Sequence, residues 1–463
     1  MISTRRPMAF DGLMVSVSGV RGRVAEALTP EVVATFAAAF GAWASRDGNF
    51  KVVVGRDSRV SGPMFTRIVH GALESVGCTV IDIGMAPTPT IQLAVEHHHA
   101  AGGLGITASH NPIEWNALKF IGPSGLFLSA AEGAEMRALL DSGIPRATWD
   151  KLGHITRDDE AVARHLEQLL ALPWLDVEGI RSRRFRVALD CCHGAGSVIM
   201  PALLSELGCE VYGINMESDG RFHRPPEPVP ENLGELEALV RATQAHVGFA
   251  TDPDVDRLAL VLDDGKAPGE DYTLAFAVRA VLRHRRGPVV TNLSTSKVVS
   301  DVADEMGVPF HFAKVGEVNV ALAMRDLGAT IGGEGNGGVI LPELHLGRDA
   351  PLGAALMLQL MHEEGRPLSQ LKAERPQYVI VKDKLDRPDA PLDAVYEALR
   401  AAFADARADT QDGLRLDWSD RWVHLRPSGT EPIVRVIAEA PTDADARALI
   451  AQARGPLDAL VSL

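Results

Sequence analysis

Three stretches of this chain repeat one pattern, and that pattern limits the fold more than any other feature. Residues 51–84 read as a strand, a polar loop, a helix, Gly77, a second strand and Gly84. Residues 186–213 read the same way, with His193-Gly194-Ala195-Gly196-Ser197 opening the helix and Gly208 closing it. Residues 288–316 do so again, with Ser294-Thr295-Ser296 opening and Gly307 closing. Strand–helix–strand units of this length imply right-handed crossovers and parallel neighbouring strands. The expected fold class is therefore α/β, with three related α/β domains built on mixed, largely parallel sheets. The C-terminal part lacks the unit. There, 378–384 and 415–425 read as strands around a helix at 392–406, followed by a strand at 434–439 and a helix at 443–454. That is an α+β domain. Breaks rich in Gly, Pro or charge fall at 144–153, 263–269 and 366–376. The expected division is 1–150, 151–265, 266–371 and 372–463, set around a central cleft. A chain of 463 residues is long enough for it, at about 150 residues per domain.

Charge and cysteine usage narrow the partners. The formal charge is −15, from 61 acids against 46 bases, which disfavours nucleic acid or an anionic membrane surface as partner. Cys78, Cys191, Cys192 and Cys209 show no CxxC spacing, and two of them are adjacent, so a reducing cytoplasmic setting is expected. Arg5 and Arg6 lack a following apolar run, and no stretch approaches membrane-span length. Neither a signal peptide nor a membrane span is expected. The triplet His97-His98-His99 reads as a helix end or exposed face, because neighbouring histidines on a helix point apart.

Four loops carry the chemistry. In the first, a strand-like run at 102–106 stops at Thr107-Ala108-Ser109-His110-Asn111-Pro112. A hydroxyl and an imidazole are thereby presented at a sheet edge, where α/β proteins bind ligands. Ser109 is a candidate nucleophile. In the second, Asp252-Pro253-Asp254-Val255-Asp256-Arg257 lies between strand patterns at 246–250 and 258–262. Alternate residues of an extended stretch share a side, so the three acids are expected to converge. Carboxylates ~4 Å apart repel by roughly 4 kcal/mol at an effective dielectric of 20. Convergence needs a cation or raised pKa values, and an all-oxygen set favours Mg²⁺ before Ca²⁺ or Mn²⁺. An EF-hand is excluded, since Arg257 and Asp263 stand where its Gly and Glu belong.

The third loop, Gly332-Gly333-Glu334-Gly335-Asn336-Gly337-Gly338, contains G-x-G-x-x-G. A dinucleotide loop must open a helix, whereas Val339-Ile340-Leu341-Pro342 reads as a strand. One carboxylate and one amide on a backbone-lined loop suit sugar hydroxyls better. In the fourth, Arg426-Pro427-Ser428-Gly429-Thr430-Glu431-Pro432, followed by Arg435, joins guanidinium groups, hydroxyls and a glycine turn. Such a turn aims N–H groups at an anion, and Arg adds a bidentate fork.

In this order the four loops resemble those of the α-D-phosphohexomutase superfamily, along the whole chain. Ser18-Gly19-Val20-Arg21-Gly22 and Gly55-Arg56-Asp57-Ser58-Arg59 match two further family segments. The resemblance implies a phosphosugar mutase of the isomerase class that works through a phosphoserine at Ser109. One Mg²⁺ per subunit would bridge that phosphate to Asp252, Asp254 and Asp256. A hexose 1,6-bisphosphate would serve as intermediate and activator. Arg21, His110, Lys119 and Arg257 are the implied catalytic groups. Glu334, Gly335 and Asn336 would contact the sugar, and Arg426, Ser428, Gly429, Thr430 and Arg435 its phosphate. The partner is then a small phosphosugar, held by local positive loops against the chain's overall negative charge. A homodimer is one assembly open to the chain.

Departures from the family bear on the sugar. Ala117 replaces a usual glycine, Asn336 stands where many members have serine, Gly338 where many have histidine, and Glu317 where some have histidine. The form of the sugar loop favours glucosamine 6-phosphate to glucosamine 1-phosphate, with phosphomannomutase/phosphoglucomutase as the alternative. A non-catalytic sugar-phosphate-binding regulator is a further reading, opposed by the intact Ser109 and three acids. An oxidoreductase is opposed by the strand after Gly338.

Overall fold

The computed structural model describes residues 12–16, 19–387, 391–428 and 433–461. Four sheets follow one another along the chain. The first has seven strands, in the spatial order Met14–Val15, Gly19–Arg23, Trp115–Ile121, Gly102–Ile106, Lys51–Arg56, Thr79–Met85 and Ile155–Arg157. The last of these pairs in parallel with Thr79–Met85, so the first sheet runs past residue 150.

The first three sheets contain one common core. A central strand (Lys51–Arg56, Arg186–Asp190, Val289–Asn292) has a parallel neighbour on one side (Thr79–Met85, Glu210–Ile214, Phe310–Ala313). A second parallel neighbour lies on the other side (Gly102–Ile106, Val247–Thr251, Ile331–Glu334). The chain then returns antiparallel (Trp115–Ile121, Leu258–Leu262, Gly338–Ile340). The turn into each return strand carries one of the first three loops. Repetition of the fold thus repeats the place of the chemistry. The return Gly338–Ile340 makes the glycine loop a hairpin and excludes the dinucleotide reading.

The fourth sheet is antiparallel throughout, in the order Val379–Asp386, Ile433–Ala440, Trp422–Pro427, Leu414–Asp417 and Arg407–Asp409. Helices Asp393–Ala402 and Asp443–Val461 accompany it. The expected three α/β units and one α+β unit are all present.

Local chemistry accounts for the elements. Val247–Thr251 and Leu258–Leu262 are buried at every position, as apolar runs between covered faces must be. Thr29 caps helix Pro30–Ala44, and Ser129 with Glu132 forms a capping box on Ala130–Ser142. Full burial of each large aliphatic or aromatic side chain is worth about 1.5–3 kcal/mol. The second and third units share one continuous core that includes Leu189, Phe249, Phe276 and Leu358. The first and fourth have cores of their own.

Helix Leu368–Ala373 forms within 366–376, where Leu368 and Leu371 are buried in the shared core. One expectation needs correction. The acids of 252–256 do not lie on an extended stretch. They occupy a tight turn in which Val255 takes φ +65° and its N–H donates to Asp252 O at 3.2 Å. Convergence comes from the turn, not from strand alternation. The histidine triplet falls at a helix end, as expected, with His97 closing Thr88–His97 and His98 Nε2 2.7 Å from Asp158. All four cysteines are free thiols. No helix among the described residues is long and apolar enough to cross a membrane.

Candidate active site

Ser109 follows strand Gly102–Ile106 and adopts φ +48°, a left-handed conformation that costs a non-glycine residue about 1–2 kcal/mol. Its surroundings impose that geometry. The Ser109 N–H donates to Thr107 Oγ1 at 2.9 Å, and Thr107 Oγ1 donates to Asp57 Oδ2 at 2.6 Å. Arg59, fully buried, pairs with Asp57 and spreads its guanidinium over the loop's carbonyls. It donates to Ser109 O at 2.6 Å, Asn111 O at 2.7 Å, Pro112 O at 2.8 Å and Trp115 O at 2.9 Å. A planar fork is the side chain suited to four fixed acceptors.

The second loop faces the serine. Asp252, Asp254 and Asp256 are buried and offer oxygens all within 4.8 Å of one another. Ser109 Oγ donates to Asp252 Oδ2 at 2.9 Å. Thr88 Oγ1 and Lys119 Nζ each donate to Asp254 Oδ2 at 2.6 Å. Arg348 Nη2 donates to Asp256 Oδ2 at 2.6 Å, and Lys119 Nζ reaches the same oxygen at 3.3 Å. Asp254 Oδ1 and Asp256 Oδ1 are buried without a hydrogen-bond partner among the described residues. Two orphaned carboxylate oxygens in an all-oxygen set fit a hard divalent cation. The triad could bind such a metal. Charge is unevenly shared: burial, then Asp256 and Asp254, push Asp252 well above the carboxylate range. Burial would also raise Asp256, but Arg348, Lys119 and Arg257 outweigh it and hold that group low.

The other predicted groups lie around this centre. His110 Nδ1 is 3.3 Å from Ser109 Oγ. The Arg257 charge, and then burial, drive His110 down to about 2, so it is a neutral imidazole at ordinary pH. Burial disfavours the Lys119 ammonium, yet Asp254 and Asp256 raise its pKa and keep it protonated. Arg21 Nη1 donates to Asn111 Oδ1 at 3.1 Å, and the Arg257 N–H to Asp252 Oδ1 at 3.3 Å.

The third loop touches the second directly: the Leu258 N–H donates to Gly337 O at 3.0 Å. Glu334 is buried and already well partnered. Its Oε1 accepts from Asn292 Nδ2 at 2.8 Å and the Gly316 N–H at 3.1 Å, and its Oε2 from Arg348 Nη1 at 2.8 Å. Asn336 Oδ1 accepts the Gly338 N–H at 3.2 Å. Gly335 must lack a side chain, since a Cβ there would meet Asp271 Oδ1 at 2.1 Å. The fourth loop connects through Asp412, whose Oδ2 accepts the Val315 N–H at 3.1 Å and lies 3.3 Å from Arg426 Nε. Arg426 and Arg435 are cross-strand partners, and the Ser428 N–H donates to Ile433 O at 2.8 Å. Ser18, Gly429, Thr430, Glu431 and Pro432 lie outside the described residues.

The structure thus brings Ser109, His110, Lys119, Arg21, Arg257 and the three aspartates together. It links Glu334 to Arg426 through residues 315–316 and Asp412. Sequence reasoning gave Asp57 and Arg59 no role and overlooked Thr88 and Arg348. The signals were faint. Arg59 is one of 46 basic residues until it proves buried, and Arg348 lies in an ordinary-looking Gly-Arg-Asp.

This constellation on three repeated α/β units and an antiparallel fourth defines a phosphohexomutase, an intramolecular phosphotransferase of the isomerase class. The chain belongs to the phosphoglucomutase/phosphomannomutase family. Its alpha/beta/alpha domain I matches residues 13–145, domain II 163–265, domain III 269–379 and the C-terminal domain 378–455. A Methanopyrus kandleri protein named probable phosphoglucosamine mutase is 40% identical, over 95% of this chain and 96% of its own. A Thermococcus kodakarensis protein named phosphoglucomutase/phosphomannomutase is 39% identical, over 94% and 96%. The crystal structure of a Burkholderia thailandensis phosphoglucomutase/phosphomannomutase family protein superposes with a TM-score of 0.83 at 25% identity, over 96% of each chain.

Proposed function

We propose that this phosphohexomutase moves a phosphoryl group between O6 and O1 of glucosamine phosphate, through a phosphoserine at Ser109 and a hexose 1,6-bisphosphate. The observation that carries this reading is Ser109 Oγ hydrogen-bonded to Asp252 at 2.9 Å, beside a buried triad with two oxygens that accept no hydrogen bond among the described residues. Asp252, Asp254 and Asp256 would hold Mg²⁺, one per subunit, which supplies charge neutralisation for phosphoryl oxygens. A sugar hydroxyl attacks the phosphoserine phosphorus, its new O–P bond forms, and the bond to Ser109 Oγ breaks. The bisphosphate turns over and its other phosphoryl returns to Ser109. Negative charge spreads over the phosphoryl oxygens in a loose transition state. Arg21, Arg257 and Lys119 are the positive groups placed around Ser109 to meet it. The proton lost by the attacking sugar hydroxyl balances the one Ser109 Oγ gains on leaving, and Lys119 is the group proposed to pass it on, whereas His110 is neutral and orients.

Glu334 and Asn336 read the sugar. Glu334 accepts four hydrogen bonds inside the protein, the longest from Asn336 Nδ2 at 3.5 Å. A sugar donor reaches it by displacing that long contact, and the carboxylate does not serve the two adjacent hydroxyls a bare one could. Arg426, Ser428, Gly429, Thr430 and Arg435 grip the non-reacting phosphate.

The glucosamine reading draws support from the name of the Methanopyrus kandleri relative. Glucose or mannose phosphate is the second reading, favoured by the name of the Thermococcus kodakarensis relative. A coupled assay on the 1- and 6-phosphates of glucosamine, glucose and mannose separates them. Glucosamine phosphate should show the highest kcat/KM. A higher value for glucose or mannose phosphate replaces the substrate, and no turnover of any removes the mutase reading.

A further inference from the structure

Arg348 is buried and joins three carboxylates from two units. Its Nη2 donates to Asp256 at 2.6 Å, its Nη1 to Glu334 at 2.8 Å and its Nε to Glu317 at 3.0 Å. Asp256 belongs to the candidate metal loop, and Glu334 to the candidate sugar loop. The backbone around Arg348 is pinned on every side. Its N–H donates to Glu317 Oε1 at 3.2 Å, the Asp349 N–H to Val339 O at 3.0 Å and the Ala350 N–H to Val255 O at 3.2 Å. Asp349 Oδ2 in turn lies 2.8 Å from His165 Nε2 and 3.0 Å from His345 Nε2.

Gly338 makes the seat. A Cβ at that position would meet Arg348 Cδ at 2.2 Å and Cγ at 2.9 Å. Any side chain at 338 and the present course of Arg348 therefore exclude each other. The guanidinium crosses from the third unit to the second through space that the bare glycine leaves open.

We propose that Arg348, seated over Gly338, is the positioning residue that holds the metal loop and the sugar loop in one frame. It fixes Asp256 through one oxygen, which leaves the orphaned Oδ1 to face a cation. The same plane fixes Glu334, whose longest contact, the 3.5 Å one from Asn336 Nδ2, is the one a sugar donor would displace. Its charge also offsets three buried carboxylates that would otherwise repel an incoming phosphate. This inference rests on the phosphosugar mutase reading above.

The test uses Arg348→Met, Gly338→Ala and the double variant, each checked for an unchanged circular-dichroism spectrum. Calorimetry measures Mg²⁺ binding to the sugar-free protein. A second titration, in chelator, measures the hexose 6-phosphate that the wild type turns over best. Loss of a charge-assisted contact should weaken the phosphosugar by about tenfold or more in each single variant. The double variant should be little weaker than Arg348→Met, because a Cβ at 338 collides with Arg348 Cδ at 2.2 Å and comes only as near as 3.1 Å to Asn336 Oδ1. Mg²⁺ should bind Arg348→Met more tightly than wild type, because Lys119 Nζ still holds Asp256 Oδ2 at 3.3 Å while a competing cation has left that carboxylate. Opposite shifts for sugar and metal distinguish this role from general damage, which weakens both. Wild-type phosphosugar affinity in Gly338→Ala, or losses that multiply in the double variant, would overturn the inference while leaving the mutase intact. A wild type that binds none of the hexose phosphates would overturn both.

Discussion

Arg59 shows how much of this site is held by one buried charge. It pairs with Asp57 and caps four carbonyls of the serine loop. Arg59→Met leaves Asp57 buried and unpaired, which typically costs about 3–5 kcal/mol. The expected result is a clearly lower thermal midpoint, with turnover falling as the loop loses its left-handed serine. An unchanged melting curve would show that the clamp is dispensable. Glu334→Gln keeps the side-chain shape but loses the ion pair to Arg348. Activity should fall about tenfold or more on every hexose phosphate, and furthest on glucosamine phosphate if its ammonium meets that carboxylate. Equal losses across the three sugars would remove the reason to prefer glucosamine. Ser109 and the three aspartates stood out in the sequence as candidates because reactive types cluster within a few positions, and Lys119 only through the family resemblance. Arg59 and Arg348 were not, because their importance lies in burial and in partners dozens of residues away.

Turns, more than strands, set the chemistry at the scale of elements. Each α/β repeat places a candidate functional loop between its third parallel strand and the antiparallel return. Sequence patterning revealed the strand–helix–strand units through their glycine punctuation. It misjudged the acidic turn, because a φ of +65° at a β-branched Val255 runs against local preference and is imposed by tertiary packing. Asp271 offers a test at the junction of elements. It opens helix Asp271–Leu282, accepts the Ser296 N–H at 2.8 Å and crowds Gly335. Burial pushes its pKa up to about 8, against the Ser296 hydrogen bond and with help from Glu439. A carboxyl group raised in the folded state binds its proton there more tightly than in the unfolded chain. Its contribution to stability is complete below about pH 4 and is lost as pH rises towards 8. Asp271→Asn should flatten that decline in denaturant unfolding between pH 5 and 8. An identical pH profile in the variant would show that Asp271 is not its source.

Among the described residues the largest core is shared by the second and third units, the first and fourth have cores of their own, and smaller clusters cover the other faces of the first three sheets. The second and third units are fused through apolar packing, whereas the fourth docks by polar and aromatic contacts. Buried Glu439 accepts from Ser296 Oγ, the Lys297 N–H at 2.8 Å and Trp422 Nε1 at 2.6 Å. Arg415 lies 4.3 Å from the ring centroids of both Phe312 and Trp422. Through this seam the fourth unit carries Arg426 to the sugar loop's neighbourhood. In the proposed cycle a grip on the non-reacting phosphate serves both substrate orientations, so Arg426→Ala should raise KM for the 1- and 6-phosphates alike. A rise for only one of them would require a different grip. The central claim is that Ser109 carries the phosphoryl group, and peptide mass analysis of protein treated with Mg²⁺ and a hexose 1,6-bisphosphate tests it most directly. The phosphate-sized increment should lie on the peptide containing Ser109 and vanish, together with turnover, in Ser109→Ala. Full turnover in Ser109→Ala, or an increment on another residue in the wild type, would contradict it.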